Sequence, residues 1–351
     1  MNRRKFVNRS LAVSLLTFAP KSGWSATTEA PLFKSKIKPK RLKKGDTIGL
    51  IAPGYAVAPE KLEKMKALLT QMGYKPYHTN NILGNYGYFS ATDQERIDDI
   101  HHMFSNPEVA MILCARGGYG CTRIIDQLDY NLIKKNPKIL MGFSDITALA
   151  NAITEKTGLI TFHGPVGTTL DNEYGLEMIN GVIIAPSKEY TIIPAAENLE
   201  KGTTDIEFAP YTITPGKATG KLAGGNLVLL TSLMGTDFEV DCKDKIIFIE
   251  EIEERTYRID RMLTQLISSG QLQKAAGIAL GIFEGCNTGT NDKNSFTLKE
   301  VIIDRIKPLG IPAAYGLSIG HIAANCTLPI GVKATFDADA KTITLLEEAV
   351  V

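Results

Sequence analysis

The stretch Lys138-Ile139-Leu140-Met141-Gly142-Phe143-Ser144-Asp145-Ile146-Thr147-Ala148-Leu149-Ala150-Asn151-Ala152-Ile153-Thr154-Glu155 changes its hydrophobic period halfway along. Lys138 to Phe143 is a short apolar run of the buried-strand kind, and Asp145 to Glu155 carries a helical pattern. The switch falls on Gly142-Phe143-Ser144-Asp145. A serine on a sharp strand-to-helix turn projects its hydroxyl above the sheet edge. The N–H groups at the helix start can then hold a developing oxyanion. A plainer reading has Ser144 or Asp145 simply capping the helix. Ile146 also stands where the G-x-S-x-G elbow has its second glycine. The local sequence leaves these readings level.

The same alternation extends in both directions. Thr47 to Ala52 is a strand run ending in Pro53-Gly54, and Pro59 to Met72 is a helix with Leu62, Met65, Leu68, Leu69 and Met72 at helical spacing, closed by Gly73. Asp93 to Phe104 reads as a helix and Ala110 to Cys114 as a strand. Arg116-Gly117-Gly118-Tyr119-Gly120 follows, and then a helix over Thr122 to Leu128. Short strands alternating with helices imply parallel βαβ units, in which function gathers at the loops after the strand C-termini. Residues 171–215 lack strong periodicity, carry Pro186, Pro194, Pro210 and Pro215, and read as a linker or substrate-facing segment. From residue 216 a second α/β half begins. Leu227 to Met234 is a helix after Gly224-Gly225-Asn226, and Lys245 to Ile249 a strand ending in acids. Tyr257 to Ser268 is a helix, Ile278 to Phe283 a strand and Leu298 to Ile306 a helix, with a closing hairpin over Val332 to Glu347. The expected fold class is α/β.

The chain has 351 residues, 44% of them hydrophobic and 22% charged, with a net charge of +1. That length gives a prior of about two domains. The composition excludes disorder, and the near-zero charge offers no field for nucleic acid or an anionic membrane. The first 26 residues differ from the rest. They hold Arg3, Arg4, Lys5, Arg9 and Lys21 with no acid, followed by an apolar core from Leu11 to Ala19. This is the layout of an export signal peptide, either of the plain Sec kind or of the twin-arginine kind, to whose motif Asn2-Arg3-Arg4-Lys5-Phe6-Val7 is similar. With those five charges removed, 34 basic residues face 38 acidic ones, a net of −4. The segment has no cysteine to carry a lipid, so no stable membrane anchor is expected, and the mature chain is expected in the periplasm. Cys114, Cys121, Cys242, Cys286 and Cys326 are odd in number and irregularly spaced, so buried thiols are expected rather than a disulfide framework.

A serine nucleophile needs a base, and there are five histidines. His101 and His102 are adjacent on a helix and point about 100° apart. His78 ends a strand-like stretch with no polar company. His163, in Phe162-His163-Gly164-Pro165, and His321, after Gly316-Leu-Ser-Ile-Gly320, both sit where a proton can be moved, and local pattern does not separate them. An orienting acid is expected at the end of the strand Ile246 to Ile249, where Glu250, Glu251, Glu253 and Glu254 cluster. No H-E-x-x-H or D-x-D-x-D-G pattern supports a metal, and none is expected. Arg116-Gly117-Gly118-Tyr119-Gly120 has two readings. It is a phosphate-cradling loop without the acid that a dinucleotide fingerprint needs, or a loop whose glycine N–H groups help an oxyanion hole while Arg116 meets a substrate carboxylate.

Taken in order, Gly45-Asp46-Thr-Ile-Gly-Leu-Ile-Ala-Pro53, Arg116-Gly-Gly-Tyr-Gly120, Gly142-Phe-Ser-Asp145, Phe162-His-Gly-Pro165, Gly224-Gly-Asn-Leu227, Phe248-Ile-Glu-Glu251, Tyr257-Arg-Ile-Asp-Arg261 and Gly320-His321 resemble the LD-carboxypeptidase family of serine peptidases, which includes murein tetrapeptide carboxypeptidases and microcin C immunity proteins. The resemblance runs from about residue 42 to 335. It implies a Rossmann-like N-terminal domain, residues 42–170, bearing the nucleophile, and a second α/β domain rich in strands, residues 216–351, with the site between them. It implies Ser144 as nucleophile, Glu250 as orienting acid and His321 as base, with an oxyanion hole from N–H groups of Asp145 and of Gly117 or Gly118. It also implies a homodimer and no cofactor. Glu253 departs from the pattern, since the family more often has glycine there.

The chemistry so implied is acyl transfer to water, releasing terminal D-Ala from an L-centre of diaminopimelate in a murein tetrapeptide, with Arg116 on the free carboxylate. The immunity type instead cleaves peptidyl or aminoacyl nucleotides and is expected to stack the base on an aromatic, notably tryptophan. The only tryptophan is Trp24, inside the leader, which leaves Tyr174, Tyr190 and Tyr211. A non-catalytic muropeptide-binding protein on the same scaffold is the remaining alternative.

Overall fold

The computed structural model describes residues 36–287 and 294–351, so the leader reading falls outside the described residues. Strands β1 (Thr47–Ile51), β2 (Lys75–His78), β3 (Val109–Cys114), β4 (Ile139–Gly142) and β5 (Thr161–His163) alternate with helices α1 (Pro59–Gln71), α2 (Asp93–Ser105), α3 (Tyr130–Lys135) and α4 (Ile146–Thr157). Then follow α5 (Glu173–Ile179), β6 (Tyr190–Ile192), α6 (Ala196–Lys201), β7 (Tyr211–Thr214), β8 (Lys217–Asn226), α7 (Leu227–Ser232), β9 (Lys245–Ile252), α8 (Thr256–Ser268), β10 (Gly277–Glu284), α9 (Leu298–Ile306), β11 (Ala313–Tyr315), β12 (Leu328–Ile330), β13 (Lys333–Asp337) and β14 (Thr342–Leu345).

They build an α/β fold with two sheets. The first has the order β12-β5-β4-β3-β1-β2, with β1 to β5 parallel and β12 antiparallel on β5. Its order reverses between β1 and β3, and in such sheets the crevice for ligands opens at the C-terminal ends of the strands flanking that reversal. Pro53-Gly54 and Arg116-Gly117 emerge there. The second sheet has the order β6-β14-β13-β8-β9-β10-β11-β7, with a parallel β8-β9-β10-β11 centre and antiparallel flanks.

The helices form where their sequences favour it. Pro59 opens α1, whose buried stripe is Leu62, Met65 and Leu69. Thr92 and Glu95 close a capping box on α2, and Thr297 and Glu300 do so on α9. Fully burying each such Leu or Met contributes about 1.5–3 kcal/mol. Strand β9 is buried on both faces. Ile246 and Phe248 share a core with Phe162 and Leu328 of the first sheet, while Ile247 and Ile249 pack with Ile259 and Leu263 of α8. All five cysteines are buried free thiols.

Three expectations change. Thr122 to Leu128 is not an α-helix but two 3₁₀ turns, Cys121–Arg123 and Ile125–Gln127. The regular helix starts later because the Asp129 side chain accepts from the N–H groups of Asn131 and Leu132 and so caps α3. Residues 171–215 hold α5, α6 and two edge strands, β6 pairing with β14 and β7 with β11. Edge strands and helices of six or seven residues are too short to show a period. Strand β8 escaped notice because its glycines have low strand propensity. They are there for close approach: a Cβ on Gly225 would lie 2.3 Å from Thr147 Oγ1. Thr147 Oγ1 accepts from Asn226 N–H at 3.0 Å, and Asn151 Nδ2 donates to Gly224 O at 2.8 Å. Helix α4, which starts just after Ser144, is thereby docked on the strand beside β9.

Glu253 is exposed and has φ 53°, the left-handed region where glycine is at ease. A glycine would hold this backbone without the left-handed cost. Glu253→Gly is expected to raise stability by about 0.5–1 kcal/mol, since relief of the left-handed cost outweighs the added chain entropy. Urea midpoints of the two proteins check it.

Candidate active site

Ser144 sits between β4 and α4 with φ 64°, a left-handed backbone for a non-glycine residue. Such strain is retained where the turn aims a side chain. The capping alternative fails for both side chains. Helix α4 has no side-chain cap at Asp145, and Asp145 Oδ2 instead accepts from Cys121 N–H at 2.9 Å. Ser144 Oγ lies 2.9 Å from His321 Nε2.

His321 lies on the connection between β11, in the second sheet, and β12, in the first. That crossing carries the imidazole to the seam between sheets. Its Nδ1 lies 2.7 Å from Glu250 Oε2. Glu250 is on the β9 face shared with Ile246 and Phe248, which looks toward the first sheet, and is fully buried. Burial alone would lower the His321 pKa. The charge and hydrogen bond of Glu250 reverse this and hold it above the ordinary value. The edge of Phe143 meets the imidazole with centroids 4.8 Å apart.

The neighbouring acid does another job. Glu251 turns to the opposite face of β9. Its Oε1 accepts from Asn226 Nδ2 at 2.9 Å and Ile252 N–H at 3.0 Å, and its Oε2 accepts from Val228 N–H at 2.9 Å. Burial, with the Glu250 charge, pushes the Glu251 carboxyl up to about 7. Glu254 sits 3.4 Å from Arg258. His163 is buried behind Phe143 and holds no bond to Ser144.

The glycine loop closes over the serine. A Cβ on Gly117 would lie 2.8 Å from Ser144 Cβ and 3.1 Å from its Oγ. Among the described residues, nothing accepts a hydrogen bond from the N–H of Gly117, Gly118 or Asp145. Gly117→Ala is expected to displace the serine and lower kcat about 10²-fold with KM little changed. Steady-state kinetics beside a thermal melt check this. Arg116 stands over the Tyr55 ring, 5.5 Å from its centroid, and its Nη1 donates to Ala56 O at 3.3 Å.

One contributor was not anticipated. Arg96, on α2, is 1% exposed. Its Nη1 donates to Pro53 O and, at 3.3 Å, to Gly120 O, and its Nη2 to Asp93 Oδ1 at 2.6 Å. It therefore ties the end of β1 to the glycine loop. The available signal was position: Arg96 shares a helical stripe with Ile100 and Met103. The three tyrosines considered for base stacking are engaged elsewhere. Tyr211 stacks on Tyr315 at 4.9 Å, Tyr174 donates to Ile193 O at 2.7 Å and Tyr190 packs at Met178.

A hydroxyl, an imidazole and a buried carboxylate in hydrogen-bonded series, with unused N–H groups beside the hydroxyl, can activate an oxygen nucleophile and hold an oxyanion. Comparisons with known proteins agree in kind. The LD-carboxypeptidase N-terminal domain model matches residues 48–164 and the LD-carboxypeptidase C-terminal domain model residues 219–336. A Bacillus subtilis protein named "Probable murein peptide carboxypeptidase" is 42% identical, covering 89% of this chain and 95% of its own. The crystal structure of an MccF-like protein from Bacillus anthracis superposes with a TM-score of 0.77 at 30% identity, covering 88% of this chain and 99% of that one. That of muramoyltetrapeptide carboxypeptidase from Oxalobacter formigenes gives 0.72 at 28%, covering 85% and 97%. The chain belongs to the LD-carboxypeptidase family.

Proposed function

We propose that this protein is a serine carboxypeptidase that removes terminal D-Ala from murein tetrapeptides by hydrolysing its amide to the L-centre of diaminopimelate. The observation that carries the reading is the 2.9 Å and 2.7 Å series from Ser144 through His321 to Glu250 at a strained turn. His321 takes the Ser144 proton as Oγ attacks the carbonyl. The N–H groups of Asp145 and of Gly117 or Gly118 receive the oxyanion. His321 then returns the proton to the departing amine, and D-Ala leaves. Water, deprotonated by His321, attacks the acyl-enzyme, and the tripeptide is released with Ser144 restored. Arg116 receives the substrate's terminal carboxylate. The names of the Bacillus subtilis and Oxalobacter formigenes relatives support a murein peptide as substrate. The leader-like first 26 residues support action in the periplasm, where murein is met, and the family resemblance supports a homodimer.

Incubation of the purified protein with disaccharide tetrapeptide is expected to release one D-Ala, read by mass. No release, or equal release by Ser144→Ala, overturns the proposal. Cleavage of an aminoacyl nucleotide without D-Ala release assigns the immunity-type activity instead, which the MccF-like neighbour keeps in view. Binding of muropeptide without cleavage of either assigns a binding protein.

A further inference from the structure

His163 has no task in the acyl-transfer scheme, yet it sits at the heart of the seam. It closes β5, is 1% exposed, and neither ring nitrogen has a partner among the described residues. Its ring stands edge-on to Phe248 at 5.1 Å and to Phe143 at 6.0 Å. Phe143 in turn meets His321. The Glu250 charge and the His321 ring both act on His163, so the three share one neighbourhood. Burial drives the His163 pKa down to about 4, which leaves a neutral ring with one donor and one acceptor.

Among the described residues, three more buried polar atoms in this part of the fold are unpaired. Glu250 Oε1 has no partner, whereas Oε2 is held by His321. Asn325 Nδ2 has none, while its Oδ1 accepts from Gly320 N–H at 3.1 Å. Gly320 backs directly onto Glu250, since a Cβ there would lie 3.3 Å from Oε2. Thr327 Oγ1 has none, and it lies 2.9 Å from where a Cβ on Gly164 would stand. Register pairs the following residue, Leu328, with His163, so Thr327 itself lies on the opposite face of the sheet, beside Met141. Strand β5, strand β9 and the β11–β12 crossing thus each bring an unsatisfied group to the space behind the serine. Buried polar groups are almost always satisfied, and an internal water needs two to four polar partners.

We propose that His163 is a positioning residue, whose ring N–H reaches Glu250 Oε1 through one internal water and fixes the carboxylate that orients His321. The water accepts from His163 and Asn325 Nδ2, and donates to Glu250 Oε1. Each of its three bonds then removes one orphaned atom. Without it, one oxygen of Glu250 is left unheld and the carboxylate can rotate away from His321.

The inference rests on the Ser144–His321–Glu250 reading, and its test needs no murein substrate. The rate at which a fluorophosphonate labels Ser144 is measured against pH. His163→Phe keeps an aromatic ring for packing, and His163→Gln keeps an N–H donor. His163→Phe is expected to label about 10- to 100-fold more slowly, the scale for losing a group that orients a reacting residue. Its acid limb is expected to rise, because a Glu250 that has lost a donor holds the shared proton more strongly. His163→Gln is expected to stay within a few-fold of wild type. The reverse ranking, with Phe near wild type and Gln slow, makes His163 a packing residue and overturns the proposal. Should His163→Phe not fold, His163→Leu is expected to slow labelling to a similar extent with the same shift of the limb, and an unchanged rate overturns the proposal. A high-resolution crystal structure is expected to show water density between His163 and Glu250 Oε1, and a dry site overturns it. Absence of wild-type labelling at Ser144 removes the catalytic reading itself, whereas normal wild-type labelling with an unaffected His163→Phe removes only this inference.

Discussion

Ser144→Ala is expected to lower kcat on disaccharide tetrapeptide by about 10⁶-fold, the scale at which a nucleophile and its base act as one unit. The geometry behind this is short. Ser144 Oγ is the only side-chain oxygen recorded within hydrogen-bond reach of His321 Nε2 among the described residues, so no other hydroxyl is in place to take over. The remaining activity would come from the N–H groups of Asp145, Gly117 and Gly118, which loss of the serine hydroxyl leaves untouched. His321→Ala should cost about as much, and the double variant no more than either single one, because removing the second member of a unit already broken removes nothing further. Stability separates this from misfolding. The left-handed φ of 64° is as costly for alanine as for serine, so Ser144→Ala should melt at the wild-type temperature. A variant that keeps more than a hundredth of the wild-type kcat would remove Ser144 from the mechanism.

The elements around that serine were legible because their patterns are long or abrupt. The period change at Phe143–Ser144 marked β4 and α4, and Leu298 to Ile306 was readable as α9 with both its bounds. What stayed hidden depends on proximity across the chain. Strand β8 is written in glycines whose reasons lie elsewhere in the chain, Gly225's being Thr147, nearly 80 positions earlier, so nothing local signals a strand. The stripe shared with Ile100 and Met103 hints that Arg96 is buried, but its task shows only where Pro53 O and Gly120 O converge on it in the fold. His163 and His321 could not be ranked from local pattern because each follows an apolar run. The β11–β12 crossing separates them, setting one against Ser144 and the other behind it. The choice between Glu250 and Glu251 was within reach in principle. Strand alternation puts Glu250 on the face of Ile246 and Phe248, but which face looks at the serine is a tertiary fact.

Those two acids give the second large effect. Glu250→Gln is expected to lower kcat about 10⁴-fold, since an amide no longer stabilises the imidazolium and can hold the ring in the wrong tautomer. Glu251→Gln is expected to keep kcat within about tenfold, because its bonds go to Asn226, Val228 and Ile252 and none to His321. The pH profile makes the assignment sharper than the rates alone. Only neutral His321 can take the Ser144 proton, so kcat/KM falls as pH drops through the His321 pKa. In the wild type that pKa is held above the ordinary 6.5, against burial, by the Glu250 charge and hydrogen bond. The acid limb should therefore lie above 6.5. In Glu250→Gln the opposing charge is gone and burial remains, so the limb should move below 6.5 even as the plateau collapses. In Glu251→Gln a weaker, more distant charge is lost, and the limb should move down only slightly. If Glu251→Gln showed the collapsed plateau and the displaced limb while Glu250→Gln kept both, the orienting acid would have to be reassigned by one residue. β9 would then have to present its opposite face to His321, which its packing of Ile247 and Ile249 against α8 forbids in the fold as it stands.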